Sequence, residues 1–393
     1  MKKKLIVLLY LFCLTNICSA QTNVSGNQSG IWSLENSPYL VTDHITILAG
    51  QTLTIEPGVE VRFQGYYKFN VLGNLQAQGT ENARILFTAE NQTTGWGGLR
   101  ISTGDVINLK YCRIEYGRAT GEYPDRHGGG MAIFGSKVLV EDSIFADNSA
   151  NSGDGGMGGA VYANGTTGSS FINTTFLRNN SYGEGGAMKF TGGDDITISN
   201  SNFIQNNCSY GGGAISFFTT YGAKIKGSTF VDNYTMYAGG GAVHTLGFGN
   251  QIFFANNTMT NNTAVAGEGG AIVLNSTAAY FVNTIIYQNE GLFGDDLLIG
   301  PSSHVEIYYS NMPFPTGATG NNNIDENPQF MDVANYDLRL SGTSSSIDNG
   351  AAYQESVAGT VLVDMTANEY YGISPDIGAI EYIPDLIYIN SFE

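Results

Sequence analysis

The feature that most constrains the fold of this chain is a repeat with a period of 27 to 29 residues. A Gly-Gly-Ala motif followed by an aliphatic residue or methionine occurs five times, with its alanines 27, 27, 28 and 29 residues apart. A degenerate copy, Gly129-Gly130-Met131, precedes the others. Periods of this size are typical of solenoids, in which each repeat packs mainly on its neighbours. The alanines are Ala160, Ala187, Ala214, Ala242 and Ala271.

A second motif accompanies each repeat, in which Phe, Met or Ile is followed three residues later by Asn. Because Asn tolerates a left-handed backbone, it suits a bend between strands. If the coils stack in register, each Asn amide can bond to the Asn one coil on, which satisfies polar groups that are costly to bury. We therefore predict a structural Asn ladder rather than a set of ligand-binding residues. Its members are Asn148, Asn179, Asn206, Asn233, Asn262 and Asn289.

The local pattern favours strands over helices. No amphipathic helix of ten or more residues is visible, whereas runs such as residues 170–176 are short, rich in β-forming residues and bounded by Gly, Asn and Ser. Residues 53–63 alternate apolar and polar side chains, as half-buried strands do. We predict three short strands per coil and an all-β fold, a single-stranded right-handed parallel β-helix of about ten coils.

The same periodicity predicts how the chain is divided. A lead-in or N-terminal cap covers residues 21–39, and the β-helix covers residues 40–326, with the two repeated motifs confined to residues 129–296. The periodicity fails after residue 326, so we interpret residues 327–385 as the terminal cap that solenoids need. The tail, residues 386–393, is one short strand that is either the last capping strand or a sorting signal; we favour the cap.

Residues 1–20 are typical of a secretory signal peptide. Lys2 to Lys4 form a basic start, an apolar run follows, and small residues precede Gln21. A lipoprotein signal ending at Cys18 is the alternative, but Asn16 and Ile17 are larger than the residues that normally precede a lipidated cysteine. The protein is therefore expected to be secreted or held at the cell surface or outer membrane.

Composition excludes several classes of protein. Lys and Arg number 17 against 35 Asp and Glu, a formal net charge of −18, which argues against nucleic acid as a partner. The apolar run of the signal peptide is too short for a transmembrane helix, and no later apolar run is long enough for one. The two cysteines outside the signal peptide, Cys112 and Cys208, are predicted to be free because the repeat places them about three coils apart.

For the oligomeric state, we expect a monomer.

The paired motifs resemble the repeat of polymorphic outer-membrane proteins. The early segment at residues 53–59 and the late Pro375–Tyr382 segment resemble bacterial secreted proteins of the pectate-lyase-like superfamily. This resemblance covers roughly residues 40–382 and implies a right-handed parallel β-helix at the cell surface or secreted. It does not imply one activity, because this fold hosts lyases, hydrolases, adhesins and spacers. Polymorphic outer-membrane proteins also end in a β-barrel translocator, and no such set of strands follows residue 296.

One strand position offers candidate catalytic groups. The residue two after each motif alanine should face solvent by strand alternation, since its neighbours are apolar. This column contains Tyr162, Lys189, Ser216 and His244. Lys189 is a candidate base or partner for an acidic sugar, and His244 a candidate acid or base. The column contains no carboxylate, however, and a mixed polar column also arises without any catalytic role.

Tyrosines offer a second candidate site. Tyr182, Tyr210 and Tyr237 precede the Gly-Gly step on three successive coils, and a row of rings with polar tips suits sugar binding. With Tyr162 they form our predicted ligand-binding set, although capping of the coil edge is the structural alternative. A weak calcium site would use acidic side chains nearby; no other metal or cofactor is indicated. Those side chains are Asp154, Glu184, Asp194, Asp195 and Glu268.

The sequence thus favours an exported recognition or adhesin-like protein that binds polysaccharide or cell-surface glycan along a lateral face. The first alternative is a polysaccharide lyase or glycoside hydrolase with an atypical site. The second is a structural spacer without a ligand. Motifs for other chemistries, such as Gly-x-Ser-x-Gly, His-Glu-x-x-His, Cys-x-x-Cys and a phosphate loop, are missing.

Overall fold

The computed structural model describes residues 21–151, 153, 155–292 and 296–384. Within them the chain forms a parallel β-solenoid of about ten coils, which confirms the predicted all-β fold class. In the region of the repeated motifs each coil contains four strands rather than the predicted three. We call the four stacks A, B, C and D in the order in which the chain enters them after each Gly-Gly-Ala motif. The predicted signal peptide and tail strand lie outside the described residues.

Stack A contains the strands that follow the Gly-Gly-Ala motif. It shares one 20-stranded sheet with stack C, because the two long strands of the first coils, Thr22–Asn27 and Tyr39–Ile47, run through both stacks. The strands of stack A are Phe69–Val71, Leu99–Ile101, Met131–Phe134, Val161–Asn164, Met188–Thr191, Ile215–Phe218, Val243–Leu246, Ile272–Leu274 and Leu297–Ile299. Those of stack C are Glu60–Phe63, Ile85–Ala89, Cys112–Glu115, Ile144–Ala146, Thr175–Leu177, Asn202–Ile204, Thr229–Val231, Thr258–Thr260 and Ile285–Tyr287.

Stack B is a 12-stranded parallel sheet, and stack D is a 6-stranded sheet of two-residue strands. The strands of stack B are Gly30–Trp32, Thr52–Ile55, Asn74–Gln78, Val106–Lys110, Lys137–Glu141, Ser170–Ile172, Thr197–Ser199, Ala223–Lys226, Asn250–Ala255, Thr277–Val282, His304–Tyr308 and Thr319–Asn321. Those of stack D are Ser149–Ala150, Asn180–Ser181, Asn207–Cys208, Tyr234–Thr235, Thr263–Ala264 and Glu290–Gly291.

Two kinds of residue set the shape of each coil. A residue with left-handed φ separates stacks B and C, for example Asn173 and Asn200, and another lies just before each ladder Asn, for example Arg178. The bend next to the ladder is therefore made by the preceding residue, not by the Asn itself. The Gly-Gly step is required by close packing: Gly185 has φ +67, and a Cβ on Gly186 would lie 2.1 Å from the carbonyl oxygen of Gly213.

The interior is one continuous apolar core with ladders of like residues. The rings of Phe176 and Phe203 stack at 4.8 Å, and those of Phe203 and Phe230 at 4.7 Å, so the motif aromatics pile up along the solenoid axis. Cys112 and Cys208 are free, as predicted, and burial raises their pKa to about 12 and about 11. Neither thiol is therefore a reactive thiolate at neutral pH.

The Asn column runs beside these rings. The Nδ2 of Asn179 donates to Oδ1 of Asn206 at 3.0 Å and to the carbonyl oxygen of Phe145 at 2.9 Å. The backbone N–H of Asn179 also donates to the same Oδ1, at 3.0 Å. This pattern links Asn148 to Asn289 without a break, and the side chains are buried throughout. Each amide therefore joins two coils and satisfies groups that would otherwise be unpaired.

The C-terminal segment folds back along the side of the solenoid instead of only covering its last coil. It contains two antiparallel pairs, Phe330–Asp332 with Asp337–Leu340 and Tyr353–Glu355 with Val361–Asp364. Short 3-10 helices at Leu34–Asn36 and Val333–Asn335 are the only helical turns of the described residues. The backbone N–H of Ala379 donates to the Thr258 hydroxyl at 3.0 Å, so the segment reaches back by several coils.

Candidate functional site

The predicted catalytic column of stack A is in register but is not exposed. Tyr162, Lys189, Ser216 and His244 are direct neighbours on adjacent strands, and all four are buried. The expectation that this column faces solvent is wrong, because the segments that precede each stack A strand fold over its outer face. A Cβ on Gly211, for instance, would lie 2.3 Å from Nδ1 of His244.

Lys189 lies at the centre of a closed polar network. Its Nζ forms an ion pair with Oε2 of Glu184 and lies 3.0 Å from Oγ of Ser216. The Ser216 hydroxyl donates to the same Glu184 oxygen at 2.9 Å. Lys189 is 3% exposed, and burial lowers its pKa while the charge of Glu184 opposes the shift. The three side chains satisfy one another instead of pointing at a ligand.

Glu184 supplies the carboxylate that the strand positions lack. Sequence reasoning considered it only as a weak calcium ligand, since it lies three residues before the motif alanine, in a turn and not on the strand. The turn places the side chain of Glu184 over the column, next to that of Lys189, which follows Glu184 by five residues in the sequence. The signal that was available is the recurrence of Gly-Glu-Gly-Gly-Ala at residues 183–187 and 267–271, which puts a carboxylate at the same place before two stack A strands.

Two histidines in this region are neutral at physiological pH. Burial lowers the pKa of His244 to about 4, and burial together with the charges of Arg126 and Arg100 lowers the pKa of His127 to about 4. His127 stacks on the ring of Tyr162 with centroids 4.4 Å apart and thereby buries it. Tyr162 is therefore removed from the predicted ligand-binding row. His244 is too enclosed to exchange protons readily with a bound substrate.

The other three tyrosines form a row on the surface. The ring centroids of Tyr182 and Tyr210 are 5.8 Å apart, and those of Tyr210 and Tyr237 are 5.7 Å apart. Tyr210 is 44% exposed and Tyr237 59%, whereas Tyr182 is half-buried. A side-chain hydrogen bond with Tyr182 raises the pKa of Tyr210. The row follows the solenoid axis and presents ring surface and hydroxyl groups together.

The weak calcium hypothesis gains no geometric support. Asp154 lies outside the described residues, and Glu184 is paired with Lys189. In the part of the chain that the structure describes, no three His, Cys, Asp or Glu side chains are grouped so that they could hold a metal ion.

The described residues also include no helix of the length and apolar character needed to cross a bilayer.

Comparisons with known proteins show which protein family this sequence matches. The sequence profile of the family described as "Right handed beta helix region" matches residues 80–286, slightly more than half of the chain. A segment of 81 residues, 20% of this chain, is 36% identical to Protein bark beetle of Drosophila melanogaster, and it covers 3% of that protein's length. These matches do not include the polymorphic outer-membrane protein repeat.

Two solved structures of lyases are also similar. Pectate lyase Pel9A matches with a TM-score of 0.37 and 16% identity, over 85% of this chain and 88% of its own. The PL6 family alginate lyase AlyGC matches with a TM-score of 0.18 and 11% identity, over 86% of this chain and 57% of its own. At these TM-scores neither likeness bears on what the chain does.

Proposed function

The chain belongs to the right-handed β-helix family, and we propose that it is an exported recognition protein that binds glycans along one lateral face. The observation that carries this proposal is the row of Tyr182, Tyr210 and Tyr237. The three rings lie on successive coils with centroids 5.7–5.8 Å apart, so successive rings can contact successive units of an extended chain. Aromatic rings with polar tips favour ligands that have both C–H faces and hydroxyl groups.

The closed state of the stack A column supports binding over catalysis. Catalysis by Lys189 or His244 would require one of them to reach a substrate, yet both are buried and Lys189 is engaged by Glu184 and Ser216. A polysaccharide lyase or glycoside hydrolase needs an acid and a base within hydrogen-bond reach of the reacting sugar. Catalysis at this column would therefore need the covering segments to move, whereas the binding proposal does not.

Export is part of the proposal and depends on the predicted signal peptide, residues 1–20. We expect the mature protein to be secreted or held at the cell surface or outer membrane, with Gln21 as its first residue. Amino-terminal sequencing of the exported protein, from the medium or the surface fraction, tests this. A protein that stays in the cytoplasm with Met1 intact would contradict it.

Glycan binding is tested on an array with the purified mature chain. We expect retention on a subset of glycans and about tenfold weaker retention of Tyr210→Ala, since losing the apolar surface that the ring buries on the ligand costs about 1.4 kcal/mol, which is tenfold in affinity. Tyr371→Ala, an exposed tyrosine outside the row, is the matched control and should bind as the wild type does. Equal retention of both variants would contradict the role of the row, and a rise in ultraviolet absorbance with an acidic polysaccharide would establish a lyase instead.

A further inference from the structure

A groove lies between the C-terminal hairpin and the outer face of stack B. Its volume is about 450 Å³, within the range of ligand sites in proteins. The floor is built by the strands Ala223–Lys226 and Asn250–Ala255, together with the turn at Tyr221, and the wall is built by residues 360–364. We call it the hairpin groove. None of the residues discussed in the stack A column or the tyrosine row lines it.

The wall of the hairpin groove is fixed to the solenoid. Val363 packs in an apolar cluster with Ala255, Val282 and Tyr308. The carboxylate of Glu306, itself buried, accepts hydrogen bonds from the backbone N–H of Val357 at 2.8 Å and from the Tyr308 hydroxyl at 2.9 Å. The hairpin is therefore held at its turn and along one strand, so the groove is formed before any ligand arrives.

One strand of the hairpin presents a free edge to the groove. The strand Val361–Asp364 pairs on one side with Tyr353–Glu355, and every residue of Val361–Asp364 lines the groove whereas none of Tyr353–Glu355 does. Among the described residues, no backbone hydrogen bond reaches the other edge of Val361–Asp364. A free strand edge beside a cleft is the arrangement that accepts an extended peptide as an additional strand.

The charges of the groove also favour a peptide. Lys224 and Lys226 contribute two ammonium groups, and Asp195 and Asp364 contribute two carboxylates, beside the apolar surface of Phe253. The Lys226 ammonium lies 3.6 Å from a carboxylate oxygen of Glu369, whereas the Lys224 ammonium has no ion-pair or hydrogen-bond partner among the described residues. Mixed charge next to apolar surface suits the varied side chains of a peptide better than a chain of uniform negative charge.

We propose that the hairpin groove binds an extended peptide segment of a partner protein as a third strand on Val361–Asp364. The main chain of the peptide pairs with the free edge, and alternate side chains face the groove. One of these is acidic and pairs with Lys224; its neighbours two residues away are apolar and contact Phe253. This site is separate from the glycan-binding row, and its occupant is of a different chemical class.

The test uses the full mature chain, immobilised, and a display library of random octapeptides. We expect enriched sequences with apolar residues at every second position and an Asp or Glu in the same register. Lys224→Glu should recover at least tenfold fewer of them. Lys137→Glu, which changes an exposed lysine on the same sheet three coils away, is the matched control and should recover as many as the wild type. Equal recovery by the two variants, or no enrichment at all, would overturn the proposal.

A second experiment checks the role of the main chain. An enriched peptide carrying N-methyl groups on the residues whose N–H groups face the edge strand should lose at least tenfold in affinity, measured by fluorescence anisotropy. Unchanged affinity would overturn strand addition, as would displacement of the peptide by a glycan. A dimer on size-exclusion chromatography that dissociates in Lys224→Glu would assign the groove to a second copy of this chain. Tyr210→Ala should bind the peptide normally, which keeps this proposal separate from glycan binding.

Discussion

At the scale of single residues, buried polar groups determine which positions are essential. The side-chain amide of Asn206 makes four hydrogen bonds, and Lys189 is paired twice although it lies almost entirely out of solvent. The cost of leaving such a group unpaired exceeds the net gain of an ordinary hydrogen bond. These residues should therefore be sensitive to substitution whether or not they bind a ligand.

The central rung of the Asn ladder gives the first stability prediction. Asn206→Ala removes the amide that accepts from Asn179 and donates to Asn233 and to the carbonyl oxygen of Phe176. The free energy of unfolding should fall by about 1–3 kcal/mol for each buried group that is left unpaired. Urea denaturation followed by circular dichroism measures it. Asn27→Ala, at an exposed position, should change stability little, and an equal loss for both would refute the ladder's role.

The polar network around Lys189 gives the second stability prediction. Glu184→Gln leaves a buried ammonium without its counter-charge and should lower the free energy of unfolding by about 3 kcal/mol. Combining it with Lys189→Met should restore most of that loss, because the desolvated charge is then gone. The measurement is a double-mutant cycle in urea. If the double variant binds its glycan like the wild type, the network is structural; loss of glycan binding in a fully stable double variant would instead assign it to the site.

Residue identity predicted the ladder well but not the burial of Lys189. The Asn column repeats at a fixed spacing, and so its stacking can be inferred from the chain alone. Burial of the stack A column depends on the turns before each Gly-Gly step, which differ in length from coil to coil and carry no alternation signal. Strand alternation correctly places Lys189 on the outer face of the sheet, but it cannot indicate that Glu184 and its neighbours cover that face.

At the scale of elements, the main departure from expectation is the C-terminal segment. Its strands were predicted only as a cap, and its position along the flank arises from contacts between residues more than a hundred positions apart, such as Thr258 and Ala379. The segment is secured by carboxylates: Asp376 accepts from the backbone N–H groups of Asp348 and Tyr382, and Glu381 accepts from that of Asp376. Contacts of this kind do not recur at a fixed spacing, so they leave no period in the sequence.

The buried carboxyl groups of Asp376 and Glu381 predict a pH dependence. Burial, with the charge of Asp376, raises the pKa of Glu381 to about 7, and burial raises the pKa of Asp376 as well. A carboxyl group whose pKa rises on folding takes up a proton, so its contribution is complete below about pH 4.5 and is lost as the pH rises through about 7. Hydrogen exchange of residues 370–380, corrected for intrinsic rates, should show faster opening at pH 8 than at pH 5. Glu381→Gln should reduce that difference, and an unchanged profile would contradict the assignment.

At the scale of the whole molecule, stability is shared among similar coils instead of residing in one centre. Phe rings, Asn amides and backbone ladders each continue from coil to coil, so every internal repeat makes nearly the same contacts with its two neighbours. The period in the sequence was sufficient to predict this architecture and its approximate number of coils. The number of strands per coil was less predictable, because the two-residue strands of stack D are too short to carry an alternation signal.

The register between coils is the central claim, and removal of one whole repeat tests it most directly. Deleting residues 180–206 joins Asn179 to Asn207, a shift of 27 residues that leaves every ladder in register. We predict a folded protein with the β-sheet circular dichroism of the wild type and one cooperative thermal transition, shorter by about 4.8 Å along its axis. Deleting only residues 180–193 breaks the register and should give an unfolded or aggregated chain. If both deletions unfold the protein alike, or both leave it folded, the coils are not stacked as described.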